Sequence, residues 1–340
     1  MAYQVVSATG QDDLIDQFVD FAVANAGFSN KVTGTVPGST SAGYSGSRTY
    51  VKITKGSFTW LFARTRSVRT NPDFNFFIQM SFDSALDSPE VDVNNTPYGP
   101  LAVSCWNFAG PYANVYMFTD GVSVHCAVEL SPGIYTHFSI GSITKTEVFT
   151  GGEFMAGFAG DDKTSTNYFS VFATQMCPMF PGSWLANGPD FNSNNAIDTE
   201  GYSSGFFGSK IYSVPLSGDD TGYSRFAQFG ATANNNNAGG EAINGLHGMY
   251  STQSYSQPTK ANSQTQRSPL WPNIIRLRHQ TNNLWRLSGH IPVTKFCLMT
   301  YLDPGDIIFD EWQVFPYSQK NGDATLCPNS YELGIAYHRV

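Results

Sequence analysis

The stretch from Ala113 to Ile143 constrains this chain more than any other, because its strand register can be worked out from the residues themselves. Asp120-Gly121 has the composition of a two-residue hairpin turn, in which both central residues take positive φ. Such a turn pairs Thr119 with Val122, Met117 with Val124 and Val115 with Cys126. Apolar residues then face apolar residues, which is what specifies register when one face of a sheet is buried. Ser131-Pro132-Gly133 makes a second short turn. It pairs Leu130 with Ile134, Val128 with Thr136, Cys126 with Phe138 and Val124 with Ile140. The expected product is a three-stranded antiparallel meander with one continuous apolar face. The opposite face carries Tyr116, Phe118, Ser123, His125, Glu129, Tyr135, His137 and Ser139. Such a face is either solvated or covered by another sheet or subunit. Ring-rich patches with few charges have the composition of interface cores, so coverage is the expectation. Tyr116, Phe118, Tyr135 and His137 become candidate subunit-contact residues. On that reading Phe118→Asp blocks incorporation into an assembly without unfolding the chain.

The rest of the chain is mostly strand and loop. One helix is expected over Gln11–Ala26, where Leu14, Ile15, Phe18, Val19 and Ala22 recur at helical spacing. Asp12 and Asp13 sit at the end that the helix dipole makes positive, and Gly27 is a natural stop. Thr33 to Ser47, with four glycines, reads as turns. Phe74, Phe76, Ile78, Met80 and Phe82 alternate with mostly polar residues, which predicts a half-buried strand. Further strand-like runs cover Glu153 to Phe158, Tyr168 to Met176, Phe296 to Tyr301, Ile307 to Phe309, Trp312 to Phe315 and Leu333 to Val340. Between Pro181 and Ser268 long Asn- and Gly-rich segments predominate, of the length that is functional or ordered by neighbours. No linker composition separates the two flanking β regions. The expected class is therefore mainly β: antiparallel, sandwich-like sheets with one N-terminal amphipathic helix and long loop insertions. The segments are residues 1–30 (helix packed on the sheet), 31–180 (antiparallel β domain), 181–268 (loop-rich insertion) and 269–340 (C-terminal strands completing the β domain).

Composition narrows the function classes. Only 14% of the 340 residues are charged and another 14% are aromatic, with a formal net charge of -8. A disordered tail would have fewer rings, and a basic nucleic-acid binder would need cations to neutralise phosphate. Neither a membrane-spanning run nor a basic leader stands out, so membrane insertion and secretion are not expected. Five cysteines without a Cys-x-x-Cys pair read as reduced, mostly buried thiols.

Gly201-Tyr202-Ser203-Ser204-Gly205 matches a nucleophile elbow, but a polar loop precedes it and a strand-like run follows, where strand then helix is required. His125 and His137 fall diagonal to each other across neighbouring strands, a placement more ordinary for strand histidines than for metal ligands. Asp303-Pro304-Gly305-Asp306 has the residues of a tight turn and lacks the remaining positions of a calcium loop. Arg276 and Arg278 alternate with Ile275 and Leu277, either as a docking surface or as a solvated strand face. No catalytic, cofactor-binding or metal-binding set emerges, and no cofactor is expected.

The run Tyr116 to Gly141, together with Thr150-Gly151-Gly152-Glu153-Phe154-Met155-Ala156-Gly157, resembles a pattern found in virion structural proteins of tailed bacteriophages. The helix ending Phe21 to Phe28 and the terminal Glu332 to Tyr337 are similar to that pattern as well. The resemblance implies a non-enzymatic structural component of a tail or baseplate. Its partners would be copies of itself and other virion proteins, without nucleic acid, and its location the virion assembled in host cytoplasm. An alternative is a receptor- or glycan-binding module of a tail tip or fibre, with host surface glycan bound by loops between Trp184 and Tyr255. A glycan depolymerase is a third class, with the least support in the residues.

Overall fold

The computed structural model describes residues 1–36, 48–64, 74–81, 102–106, 110–145, 154–159, 210–212, 226–229, 241–244, 268–278, 285–316 and 333–339. Strand β1 (Ala2–Ala8) leads into helix α1 (Gln11–Asn25). Five strands follow: β2 (Ser29–Val36), β3 (Arg48–Lys55), β4 (Phe58–Arg64), β5 (Phe74–Ser81) and β6 (Ala102–Trp106). The meander is β7 (Tyr112–Thr119), β8 (Ser123–Ser131) and β9 (Ile134–Gly141). Short strands come next: β10 (Thr144–Lys145), β11 (Phe154–Ala159), β12 (Lys210–Tyr212), β13 (Phe226–Phe229) and β14 (Glu241–Asn244). The C-terminal part holds β15 (Trp271–Arg278), β16 (Trp285–Leu298), β17 (Ile307–Ile308), β18 (Trp312–Pro316) and β19 (Leu333–His338).

The protein is mainly β, built from antiparallel sheets around a single helix among the described residues. β2 to β6 form a five-stranded sheet in sequence order. The other fourteen strands form one large sheet, in the order β1-β7-β8-β9-β11-β12-β13-β14-β15-β16-β19-β18-β17, with β10 beside β16. Residues 31–180 are thus divided between two sheets. The short strands β12 to β14 enter the large sheet between β11 and β15, and the C-terminal strands continue it. β13 and β14 are a parallel pair in an otherwise antiparallel arrangement.

Helix α1 forms where the apolar stripe predicts it. Leu14, Ile15, Phe18, Val19 and Ala22 are all buried. Asp13 braces the first turn: its carboxylate accepts from Thr9 N at 2.8 Å and from Gln17 Nε2 at 2.9 Å. The Thr9 backbone bond is the main reason its pKa is lowered. The stripe lies between the two sheets, in a core with Trp60 and Phe62 of β4, Phe76 and Ile78 of β5, and Val115, Met117, Cys126 and Phe138 of the meander. Phe18 touches Phe138 and Phe62, with ring centroids 4.6 and 5.8 Å apart. Each such fully buried ring contributes about 1.5–3 kcal/mol.

Two local expectations are corrected. Thr33 to Val36 is strand rather than turn. Gly34 faces Tyr50 across β2–β3, and a Cβ there would lie 2.4 Å from the Tyr50 ring, so the missing side chain makes room for the ring. The first meander turn is longer than two residues. The pairs are Thr119 with Val124, Met117 with Cys126 and Val115 with Val128. Asp120 closes the longer turn, since its Oδ1 accepts from Val122 N and Ser123 N, both at 2.8 Å. The shift is two residues, so each side chain stays on its expected face. The β8–β9 pairs Val128–Thr136, Cys126–Phe138 and Val124–Ile140 are as expected, with a bulge that sets Ser131 rather than Leu130 opposite Ile134.

Candidate functional site

The polar, ring-rich face of the meander is covered, and the cover is the chain's own C-terminus. The large sheet turns back on itself so that β18 and β19 lie against β7, β8 and β9. Phe315 of β18 packs on Tyr116 at 4.6 Å and on Tyr135 at 5.2 Å between ring centroids. Tyr337 of β19 stacks on Phe118 at 4.6 Å with the ring planes 10° apart. Phe118 and His137 have no exposed surface and Tyr135 is buried. The expectation that these residues lie on a subunit contact is therefore corrected for Phe118, Tyr135 and His137. Strands β18 and β19 of the same sheet already cover these residues. Tyr116 is half-buried at the rim.

Two histidines sit in this closed layer. His137 Nε2 lies 3.0 Å from the Pro316 carbonyl and Nδ1 lies 2.9 Å from the Tyr337 hydroxyl. A carbonyl only accepts, so Nε2 carries the proton, and in the neutral ring Nδ1 accepts from Tyr337. His125 Nε2 is 3.1 Å from Ser123 Oγ. Burial pushes the His125 pKa down to about 3, and the neighbouring His137 adds to the effect. Both rings are thus held in hydrogen-bonded packing, and among the described residues no three His, Cys, Asp or Glu side chains gather as a metal site.

At the rim, Glu129 accepts from Asn114 Nδ2 at 2.7 Å and from Gly133 N at 3.3 Å, tying the second meander turn to β7. Burial raises the Tyr135 and Tyr116 pKa values, and the Glu129 charge raises them further. Tyr3 of β1 lies 5.1 Å from Phe118, and the Arg339 guanidinium lies over the Tyr3 ring at 4.6 Å. Arg276 and Arg278 are elsewhere, on β15 opposite Leu287 and Trp285. The structure does not bring them to the aromatic layer.

The Asp303–Asp306 segment is a tight turn: Asp306 N donates to Asp303 O at 3.0 Å, and Gly305 takes φ +91°. Cys126 and Cys297 are buried free thiols, and burial raises both pKa values. The Gly201–Gly205 motif, Cys177, Cys327, and nearly all of the proposed glycan loop lie outside the described residues.

Sequence reasoning missed one concave feature. A cleft of about 460 Å³ opens between α1 and the five-stranded sheet, with Ile15, Tyr50 and Phe62 in its floor and Asp12, Asp16 and Thr49 among its polar lining. Asp16 of this lining is also bridged by Lys31 at 3.0 Å, which reaches Asp20 at 2.7 Å. The four-residue spacing of Asp12, Asp16 and Asp20 was a legible signal for one acidic face.

No protein-family model matches this sequence, and no curated protein matches it.

Proposed function

We propose that this chain is a structural component of a tailed-phage virion, of the tail or baseplate kind, which acts by assembling with copies of itself and with neighbouring virion proteins. The observation that carries this reading is the double coverage of the stretch that resembles virion proteins. Residues 112–141 form a layer with α1 and the five-stranded sheet on one face and β18–β19 on the other. Both faces of the meander serve the scaffold. The side chains that looked most like a binding surface instead lock two parts of one sheet together. A body of this kind contributes geometry to an assembly, and its low charge density reduces the desolvation cost of burying wide surfaces.

The test is the mass of the purified full chain, by sedimentation velocity over a concentration series, alone and with candidate virion neighbours. The expected result is a defined multimer or a stoichiometric complex. A monomer that joins no neighbour and turns over a polysaccharide overturns the proposal.

A further inference from the structure

The segment from Thr300 to Glu311 is a braced projection. Leu302 and Trp312 anchor it in an apolar cluster with Cys297, Met299, Val314 and Ala336. Gly305 N donates to Val314 O at 2.7 Å, Val314 N to Asp306 O at 2.9 Å, and Arg339 N to Glu311 O at 2.9 Å. On this stiff frame three large apolar side chains face solvent: Tyr301 is 41% exposed, Ile307 50% and Phe309 54%. Phe309 and Asp310 both take left-handed backbone conformations, with φ of 52° and 62°. That region favours glycine or asparagine, so local backbone preference does not account for a phenylalanine at the tip. Three exposed apolar side chains within nine residues of chain, interspersed with acidic ones, have the composition of a contact surface.

Charge identifies the occupant. Residues 303–311 hold four carboxylates, Asp303, Asp306, Asp310 and Glu311, and no Lys or Arg. His338 Nε2 lies 3.3 Å from Glu311, and Lys295 covers the Trp312 ring at the base of the projection. The preceding sixty-one residues, 242–302, hold six Lys and Arg and no Asp or Glu. Four of those cations lie on the β15–β16 pair, with Arg276 opposite Leu287, Arg278 opposite Trp285, Arg286 opposite Leu277 and Lys295 opposite Pro272. In the sheet order β16, β19 and β18 separate β15 from β17. An acidic, apolar-tipped projection and a basic ribbon thus occupy different places on one chain whose net charge is -8.

We propose that the 300–311 projection of one copy docks on the β15–β16 ribbon of a second copy. Phe309 and Ile307 supply the apolar contact, and the carboxylates complement the positive charge that Arg276 and Arg278 place on β15. Two different surfaces meet, so the contact is head-to-tail and propagates into a ring or an open filament. This rests on the self-assembly reading above and names the surfaces it would use.

The experiment is sedimentation velocity on the purified full chain, at low and high salt, with circular dichroism on every variant. Wild type is expected to form multimers that salt weakens. Phe309→Asp is expected to weaken association at least about tenfold. Phe309→Gly, which relieves the left-handed strain and so keeps the fold, is expected to do the same. A tip-reversed variant, D310K with E311K, and a ribbon-reversed variant, R276E with R278E, should each fail to self-associate. Mixed together they should associate, because the basic tip now meets an acidic ribbon. Multimers of wild type that both Phe309 variants leave unchanged overturn the docking contact and leave self-assembly standing. A wild-type chain that stays monomeric at every concentration and salt overturns both.

Discussion

Tyr337 and His137 stand two hundred positions apart, and one 2.9 Å hydrogen bond joins them inside the folded-over sheet. Removing the hydroxyl leaves a buried imidazole nitrogen without that bond, so Tyr337→Phe is expected to lose about 1–3 kcal/mol, read as a lower urea midpoint. A midpoint equal to wild type would show that the bond does not hold the layers. His125 gives the layer its pH dependence. Its folded pKa is about 3, against about 6.5 in an unfolded chain. Between those values the unfolded state binds a proton that the folded state refuses. The contribution is therefore complete above pH 6.5 and is lost as pH falls toward 3, by about 1.4 kcal/mol per pH unit within the window. Urea titrations at several pH values should show this slope in wild type and a flatter one in His125→Gln; equal slopes would refute the assignment.

At the scale of elements, α1 was legible because its apolar residues keep the helical period from Leu14 to Ala22, about two and a half turns, and its acids fall on the other face. The meander was legible in parity but not in register. Period-two patterning says which face a residue occupies, and a shift of two leaves that answer unchanged. Only the Asp120 side chain, folded back onto Val122 and Ser123, decides the length of the turn. Asp120→Ala removes both backbone bonds and should cost about 1–2 kcal/mol, measured by thermal unfolding. At the far side of the same turn Gly141 has φ +129°, and a Cβ there would sit 2.6 Å from Val122 O. Gly141→Ala is expected to cost more, about 2 kcal/mol or above, because backbone rather than a flexible side chain must move; a melting temperature within a degree of wild type would contradict this. Strand β1 is not legible in the residues alone. Its alternation is weak: Tyr3 and Val6 are half-buried while both Gln4 and Val5 are exposed. Its pairing with β7, Tyr3 opposite Phe118, comes from the sheet edge it finds.

For the whole molecule, the decisive event is that one long sheet turns back on its own first strands. This reverses the expected behaviour of Phe118. Stacked on Tyr337 and wholly buried, it lies in the interior, so Phe118→Asp should unfold the chain rather than merely block assembly. An unpaired buried carboxylate and a lost ring together exceed about 4 kcal/mol. Loss of the cooperative melt and of near-ultraviolet dichroism is the expected readout, and a native-like melt would restore the subunit-contact reading. The amino-acid sequence by itself determined that the meander has one apolar face and one face of rings and histidines. It also determined the helix stripe and the mainly antiparallel β character. Which surface would cover the second face was settled only in three dimensions. Side-chain periodicity reports that a face is to be buried, but it carries no address for the partner. That address depends on where a strand more than 170 residues away returns, as Phe315 and the Pro316 carbonyl do when they meet Tyr135 and His137.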